Sequence, residues 1–185
     1  MVNDLLKNLD ERMDKALGNV KREFATVRAG RANPAMLDRV QVDYYGTPTP
    51  INQLANVSIP EPRQLVIQPW DKSALADIER AIIKSDLGIT PSNDGSVIRL
   101  VIPQLTEQRR KDLAKQVKGL AEDGRVAVRN IRRDVNDDLK KAEKNGDISE
   151  DDSRRAQEKV QATTDRFIGE IDKLLTAKEQ EILEV

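Results

Sequence analysis

Cationic side chains recur at helical spacing along one stretch of this chain. Residues 106–133 hold nine Lys and Arg against four Asp and Glu, a local balance of +5. Within them, seven positions at steps of three and four fall along one face of a helix, and six are cationic. Arginine's forked donors match phosphate well, so the pattern indicates a polyanion-binding edge, although most charged stripes are simply solvated helix surfaces. We call these seven positions the basic stripe; they are Lys111, Lys115, Lys118, Glu122, Arg125, Arg129 and Arg132. Three further cations lie beside the stripe: Arg109, Arg110 and Arg133.

The element that must position this stripe is a long helix, predicted over residues 105–144. Thr106 is a suitable N-cap, and Asn145-Gly146 is a suitable C-terminal stop. Forty residues at ~1.5 Å each extend about 60 Å, which is too long for a compact ball of 185 residues. The sequence therefore predicts the spine of an elongated bundle. The predicted apolar seam comprises Leu113, Val117, Leu120, Gly124, Val128, Ile131, Val135 and Leu139.

Two further helices complete the predicted bundle. The first covers residues 3–28, with Asn3 as N-cap, and stops near Gly30 because Asn33-Pro34 cannot continue it. The last begins after Ser149 and runs to about Leu183. Three narrow-seamed helices of about 26, 40 and 34 residues predict a three-helix bundle.

A domain of different character is inserted between the first two helices. All eight prolines and both tyrosines lie within residues 34–103. We therefore expect an α+β fold, with a bundle formed by 1–30 and 106–185 and a small β/α/β sandwich-like domain at 31–105. The predicted elements of that domain are strands at 40–44, 57–59, 65–67 and 97–102, a turn at 45–50, and a helix at 74–85 capped by Ser73.

Two linkers, near residues 30–33 and 103–106, join the predicted domains. Each linker has few residues to fix an angle, and two crossings permit hinge bending while restricting twist. The predicted hinge comprises Arg31, Ala32, Asn33, Pro103, Gln104, Leu105 and Thr106.

Composition argues against an enzyme. The chain has neither histidine nor cysteine, which removes the commonest general base, thiol catalysis and disulfides. We find no catalytic constellation, no phosphate-binding glycine loop and no metal or cofactor motif; the acidic run Asp134, Asp137 and Asp138 is better explained by ion pairing. No apolar segment suggests a signal peptide or a membrane span. We expect a monomer in the cytoplasm.

Four motifs resemble those of bacterial ribosome recycling factors. Residues 28–34 read RAGRANP and residues 44–50 read YYGTPTP. Residues 105–111 read LTEQRRK and residues 128–134 read VRNIRRD. Their order and the chain length also match, and the one departure is Gln108, where the family often has Glu.

The resemblance implies an L-shaped molecule about the size of a tRNA, with no catalytic activity of its own. The implied partners are the 70S ribosome, through the 23S rRNA of its large subunit, and elongation factor G. With that factor and GTP, such a protein splits the post-termination ribosome into subunits, its bundle docking on rRNA and its small domain facing elongation factor G. Carried over by motif, the rRNA-binding residues are Arg28, Arg31, Arg129 and Arg132, joined by Arg110 and Arg133.

Two other classes of protein remain open at this point. One is a helical adaptor that binds tRNA or mRNA, and the other is a coiled-coil scaffold that pairs through its seam. A scaffold has no need of an arginine stripe or of an inserted domain. Sedimentation with vacant 70S ribosomes, compared with binding to free tRNA, separates the three.

Overall fold

A computed structural model describes residues 1–27 and 30–183 of the chain. It divides into two compact units, one formed by Met1–Ala29 with Thr106–Glu184 and the other by Gly30–Leu105. Unit 1 is helical and unit 2 contains the strands, so the predicted α+β class is confirmed.

Unit 1 is a three-helix bundle of α1 (Val2–Thr26), α3 (Glu107–Lys144) and α4 (Glu150–Leu183). Its ends follow ordinary capping chemistry. The Thr106 hydroxyl accepts a hydrogen bond from the Arg109 N–H at 3.0 Å, and Ser149 does the same for Asp152 at 3.0 Å. The predicted cap at Asn3 is wrong, because α1 begins at Val2 with Met1 before it. The helix also ends earlier than predicted, since Val27 is already extended at φ −86° and ψ 111°.

The bundle core follows the predicted seam with one change. Ala121 is completely buried, whereas Leu120 is only half-buried. The small side chain faces inward one turn before Gly124, where α1 packs closely on α3. Fully buried side chains from all three helices fill this core, among them Leu9, Met13, Val117, Val128, Val135, Leu139, Val160 and Ile171.

Unit 2 combines two antiparallel sheets with one helix. The strands β3 (Ala55–Glu61), β4 (Gln64–Pro69), β5 (Ser92–Asn93) and β6 (Ile98–Val101) form a sheet in the order β3-β4-β6-β5. Alternate residues of β4 and β6 point into the core. The two-residue β5 was not predicted. The core of unit 2 includes Val42, Ile51, Leu65, Ile67, Ile78, Ile82, Ile98 and Leu100.

The helix of unit 2, α2 (Leu75–Lys84), packs against this core. A short 3₁₀ turn precedes it, and Asp71, not the predicted Ser73, caps that turn: its carboxylate accepts from the Ser73 N–H at 2.9 Å. The helix ends at Lys84, with Ser85 extended at φ −74° and ψ 167°.

A second, two-stranded sheet pairs β1 (Gln41–Tyr44) with β2 (Thr47–Pro50). The turn is only Tyr45-Gly46, both in the left-handed region at φ 52° and 79°, as a tight hairpin turn requires. The prediction that the turn extends to Pro50 is wrong. Pro48 and Pro50 are two residues apart, so both nitrogens face the open edge of β2, and the N–H groups of the alternating threonines face β1.

Candidate nucleic-acid interface

The basic stripe lies along the outer side of α3, next to the buried seam. Lys111, Lys115 and Lys118 are exposed near its N-terminal half, and Lys111 pairs with Glu107 at 3.5 Å. The arginines fall in the middle of the helix, where α4 runs alongside. Lysine and arginine parts of the stripe are therefore spatially separate.

Arg125 is a structural residue of the bundle. Its guanidinium donates from both Nε and Nη2 to Oδ1 of Asp172 on α4, at 2.9 and 2.7 Å, and from Nη1 to Glu122 at 3.0 Å. Only 19% of its side chain is exposed. The hydrogen bond to Asp172, more than the opposing desolvation, raises the pKa of Arg125. Its donors are occupied in joining α3 to α4, so it is a poor phosphate ligand.

Two arginines of the stripe, Arg129 and Arg132, and the neighbouring Arg133 remain available for a ligand. Arg129 uses one nitrogen, Nη1, toward Glu122 at 3.3 Å, and its side chain is 41% exposed. Arg132 makes a long 3.4 Å hydrogen bond to Gln161. Arg133 is exposed, and no carboxylate in residues 1–27 or 30–183 pairs with it. Three forked donors within two turns of helix form a site suited to several phosphate oxygens.

We call Arg129, Arg132 and Arg133 the arginine cluster of α3. The other predicted rRNA-binding residues do not all belong to it. Arg110 lies on α3 about 28 Å along the axis from Arg129, and its Nε is buried without a hydrogen-bond partner among the described residues. Arg31 is exposed and belongs to unit 2. Arg28 lies outside the described residues.

One predicted hinge residue, Ala32, and the residue just before the second linker, Ile102, are hydrogen-bonded to the backbone of unit 2. Ala32 N–H donates to the Pro62 carbonyl at 2.7 Å, and Ile102 N–H donates to the Arg63 carbonyl at 2.7 Å. Thr106, in contrast, belongs to unit 1, where it is the N-cap of α3.

Sequence reasoning missed two features of the chain's surface. Trp70 is 67% exposed, and the alternation Leu65, Ile67, Pro69 could have placed it outward. The contact between Arg125 and Asp172 had no sequence signal, because helical periodicity does not say which residues of two helices meet.

Within the part of the chain that the structure describes, no group of acidic residues has metal-site geometry. Nor does any helix there have the length and hydropathy to cross a membrane.

Comparisons with known proteins agree over the whole chain. A family model described as ribosome recycling factor matches residues 20–183. Ribosome-recycling factors of Brevibacillus brevis and Halalkalibacterium halodurans are each 62% identical over 100% of both chains.

Solved structures give the same result. A solution structure of ribosome recycling factor is 42% identical, with a TM-score of 0.79 over 100% of this chain and 98% of that one. A second match, 48% identical with a TM-score of 0.66 and complete coverage of both chains, comes from models of the T. thermophilus factor and E. coli elongation factor G bound to the E. coli post-termination complex.

Proposed function

The chain belongs to the ribosome recycling factor family, and we propose from this membership that it binds the post-termination ribosome and, with elongation factor G and GTP, splits it into subunits. Messenger RNA and tRNA are thereby released for a new round of translation. The protein is not an enzyme, because the GTPase of the reaction is elongation factor G. Its place of action is the cytoplasm, where bacterial ribosomes are found.

The observation that carries this proposal is the arginine cluster of α3. Arg129, Arg132 and Arg133 offer three planar donors on a rigid helix, and a rigid helix holds them at fixed spacing against a folded RNA. The overall charge of −1 excludes attraction by bulk charge as the source of affinity. The 23S rRNA of the large subunit is the ligand that this local site is proposed to bind.

Unit 2 is the proposed contact for elongation factor G. The hydrogen bonds of Ala32 and Ile102 to the β3–β4 turn fix the ends of unit 2 to its own sheet. Proposed hinge bending is therefore concentrated at Arg31 and at Pro103–Leu105, between these anchors and the cap at Thr106. In this mechanism unit 1 stays bound to rRNA while the partner pushes on unit 2.

The test compares arginines inside and outside the cluster. Arg133→Gln and Arg132→Gln each remove one charge, and we expect about tenfold weaker co-sedimentation with vacant 70S ribosomes per substitution. Arg155→Gln is the matched control, since Arg155 is exposed on α4 and pairs with no carboxylate of the described chain. Subunit splitting with elongation factor G and GTP should fall in parallel for the first two variants.

Two results would contradict the proposal. Equal ribosome binding by all three variants would place the interface elsewhere. Binding to free tRNA as tight as binding to 70S ribosomes would favour the adaptor function instead.

A further inference from the structure

Glu122 is the single acidic residue within the basic stripe, and its carboxylate lies between two arginines. Oε2 is 3.0 Å from Nη1 of Arg125, and Oε1 is 3.3 Å from Nη1 of Arg129. The Glu122 side chain is 54% exposed, so its carboxylate does not need these partners to offset a loss of hydration. An acid in the middle of a phosphate-binding face needs a reason, because it repels the ligand.

The two arginines depend on Glu122 to different degrees. Arg125 is already anchored by two nitrogens to Asp172. Arg129 has no other carboxylate partner within residues 1–27 and 30–183. The effect of Glu122 on a ligand is therefore exerted mainly through Arg129.

On this basis, and resting on the proposed rRNA-binding function, we propose that Glu122 is a specificity-determining residue. Its carboxylate occupies Arg129 as an internal substitute for a phosphate. Unstructured RNA places few phosphates on the face at once, so it has few other contacts to offset the attraction that Glu122 removes from Arg129. A folded rRNA site that engages Arg132 and Arg133 simultaneously recovers the loss through its additional contacts.

A contrary role would be to hold Arg129 ready for phosphate, which would strengthen binding. The geometry argues against it. The pair is exposed on both sides, and its single contact of 3.3 Å is longer than a strong charge-assisted bond. Such a contact orders a side chain weakly. The carboxylate charge, however, offsets the attraction of Arg129 for a phosphate, because it lies well within a screening length of about 8 Å of that guanidinium.

The chain supplies a matched control for the test. Glu122→Gln and Asp123→Asn make the same change in net charge at adjacent positions of α3, and Asp123 is exposed with no ion pair among the described residues. Four variants are titrated against poly(U) RNA and vacant 70S ribosomes over a range of salt concentrations. They are Glu122→Gln, Asp123→Asn, Arg129→Gln and the double variant Glu122→Gln/Arg129→Gln. Thermal unfolding confirms that each variant is folded.

We expect Glu122→Gln to bind poly(U) about threefold more tightly than Asp123→Asn does. The slope of log K against log salt should steepen by about 0.7, the value for one added phosphate contact on a single strand. Binding to 70S ribosomes should tighten less, so the ratio of specific to non-specific affinity falls. The gain should disappear in the Arg129→Gln background.

Equal gains for Glu122→Gln and Asp123→Asn would show an effect of bulk charge and overturn the proposal. Weaker poly(U) binding by Glu122→Gln would also overturn it, by showing that the acid prepares Arg129 for phosphate. A different failure is recognisable in the same data. If Arg129→Gln binds 70S ribosomes as the unmodified protein does, Arg129 is not part of the interface and the proposed site is itself wrong there.

Discussion

Gly124 of α3 packs directly against Val20 of α1. A Cβ added at Gly124 would overlap Cγ2 of Val20 and would lie 3.4 Å from Cδ1 of Ile171 on α4. All three helices of the bundle thus meet at a residue without a side chain. Valine is stiff at χ1, so it cannot easily turn away.

Gly124→Ala should therefore destabilise unit 1, although alanine is the better helix former. Overpacking costs about 1–3 kcal/mol, against a gain of about 1 kcal/mol from helix propensity, so we expect a net loss of about 1 kcal/mol. Urea unfolding followed by circular dichroism measures it. Gly119→Ala is the matched control, because no atom of the described residues lies within 4 Å of its added Cβ, and it should stabilise the same helix. Equal effects of both substitutions would mean that α1 can move aside.

Substitutions of Arg125 and Arg129 should have opposite effects on the free energy of unfolding and on ribosome binding. Arg125→Gln removes the bridge to Asp172 and should lower the free energy of unfolding by about 1–2 kcal/mol, with a small effect on ribosome binding. Arg129→Gln should do the reverse. Unfolding curves and co-sedimentation of the two variants with 70S ribosomes check both halves. A binding defect in folded Arg125→Gln that matched Arg129→Gln would show that Arg125 contacts the ligand.

The cap at Thr106 should stabilise the start of α3, where the chain returns from unit 2 to unit 1. Thr106→Ala removes the hydroxyl that accepts from the Arg109 N–H and should cost about 1 kcal/mol. Thr106→Ser keeps that oxygen and should restore most of the loss. If serine and alanine are equally destabilising in urea unfolding, the loss comes from the threonine methyl group and not from the cap.

Unit 2 should show a pH dependence that originates at Asp71. Hydrogen bonds from the Ser73 hydroxyl and N–H, and then from the Tyr44 hydroxyl at 3.0 Å, lower the pKa of Asp71. A carboxyl whose pKa is lower folded than unfolded contributes stability above its unfolded pKa, near 3.8, and loses it as pH falls through the folded value.

We therefore expect Asp71→Asn to lower the thermal midpoint of unit 2 at pH 7 and to flatten its decline below about pH 4. Trp70, the only tryptophan, lies in unit 2 and reports its unfolding separately from the helical signal of unit 1. Tyr44→Phe should reproduce part of the effect. The same acid slope in Asp71→Asn as in the unmodified protein would assign the pH dependence to other carboxyls.

Periodicity predicted the elements whose burial has a regular spacing. Strand β6 was identified from the apolar run at 97–102, and the seams of α3 and α4 were identified because each helix buries one face along its length. The stripe was found for the same reason. Local rules succeeded at Thr106 and Ser149 and failed at Asn3, because α1 begins two residues earlier than that cap implies, at Val2, without a side-chain cap.

The remaining features depend on contacts between distant residues. No spacing within α3 indicates that Arg125 is held by Asp172, and thus that the stripe divides into one structural arginine and arginines that remain available for a ligand. The spacing of α3 also did not distinguish Ala121, which is buried, from Leu120, which is not, because both lie beside the same seam. Strand β2 was read as a turn because prolines usually exclude a strand. The prolines are compatible with β2 because it pairs with β1 on one side only, and their nitrogens face the other side.

The prolines of β2 also make its open edge a poor template for strand addition. An open strand edge normally offers N–H groups to which another chain can add a strand. At this edge, Pro48 and Pro50 have no such groups to offer, so an incoming strand would leave its carbonyl groups without donors. The hairpin can therefore stand at the surface of unit 2, with Tyr45 82% exposed at its tip, without recruiting other copies of the chain by strand addition to β2.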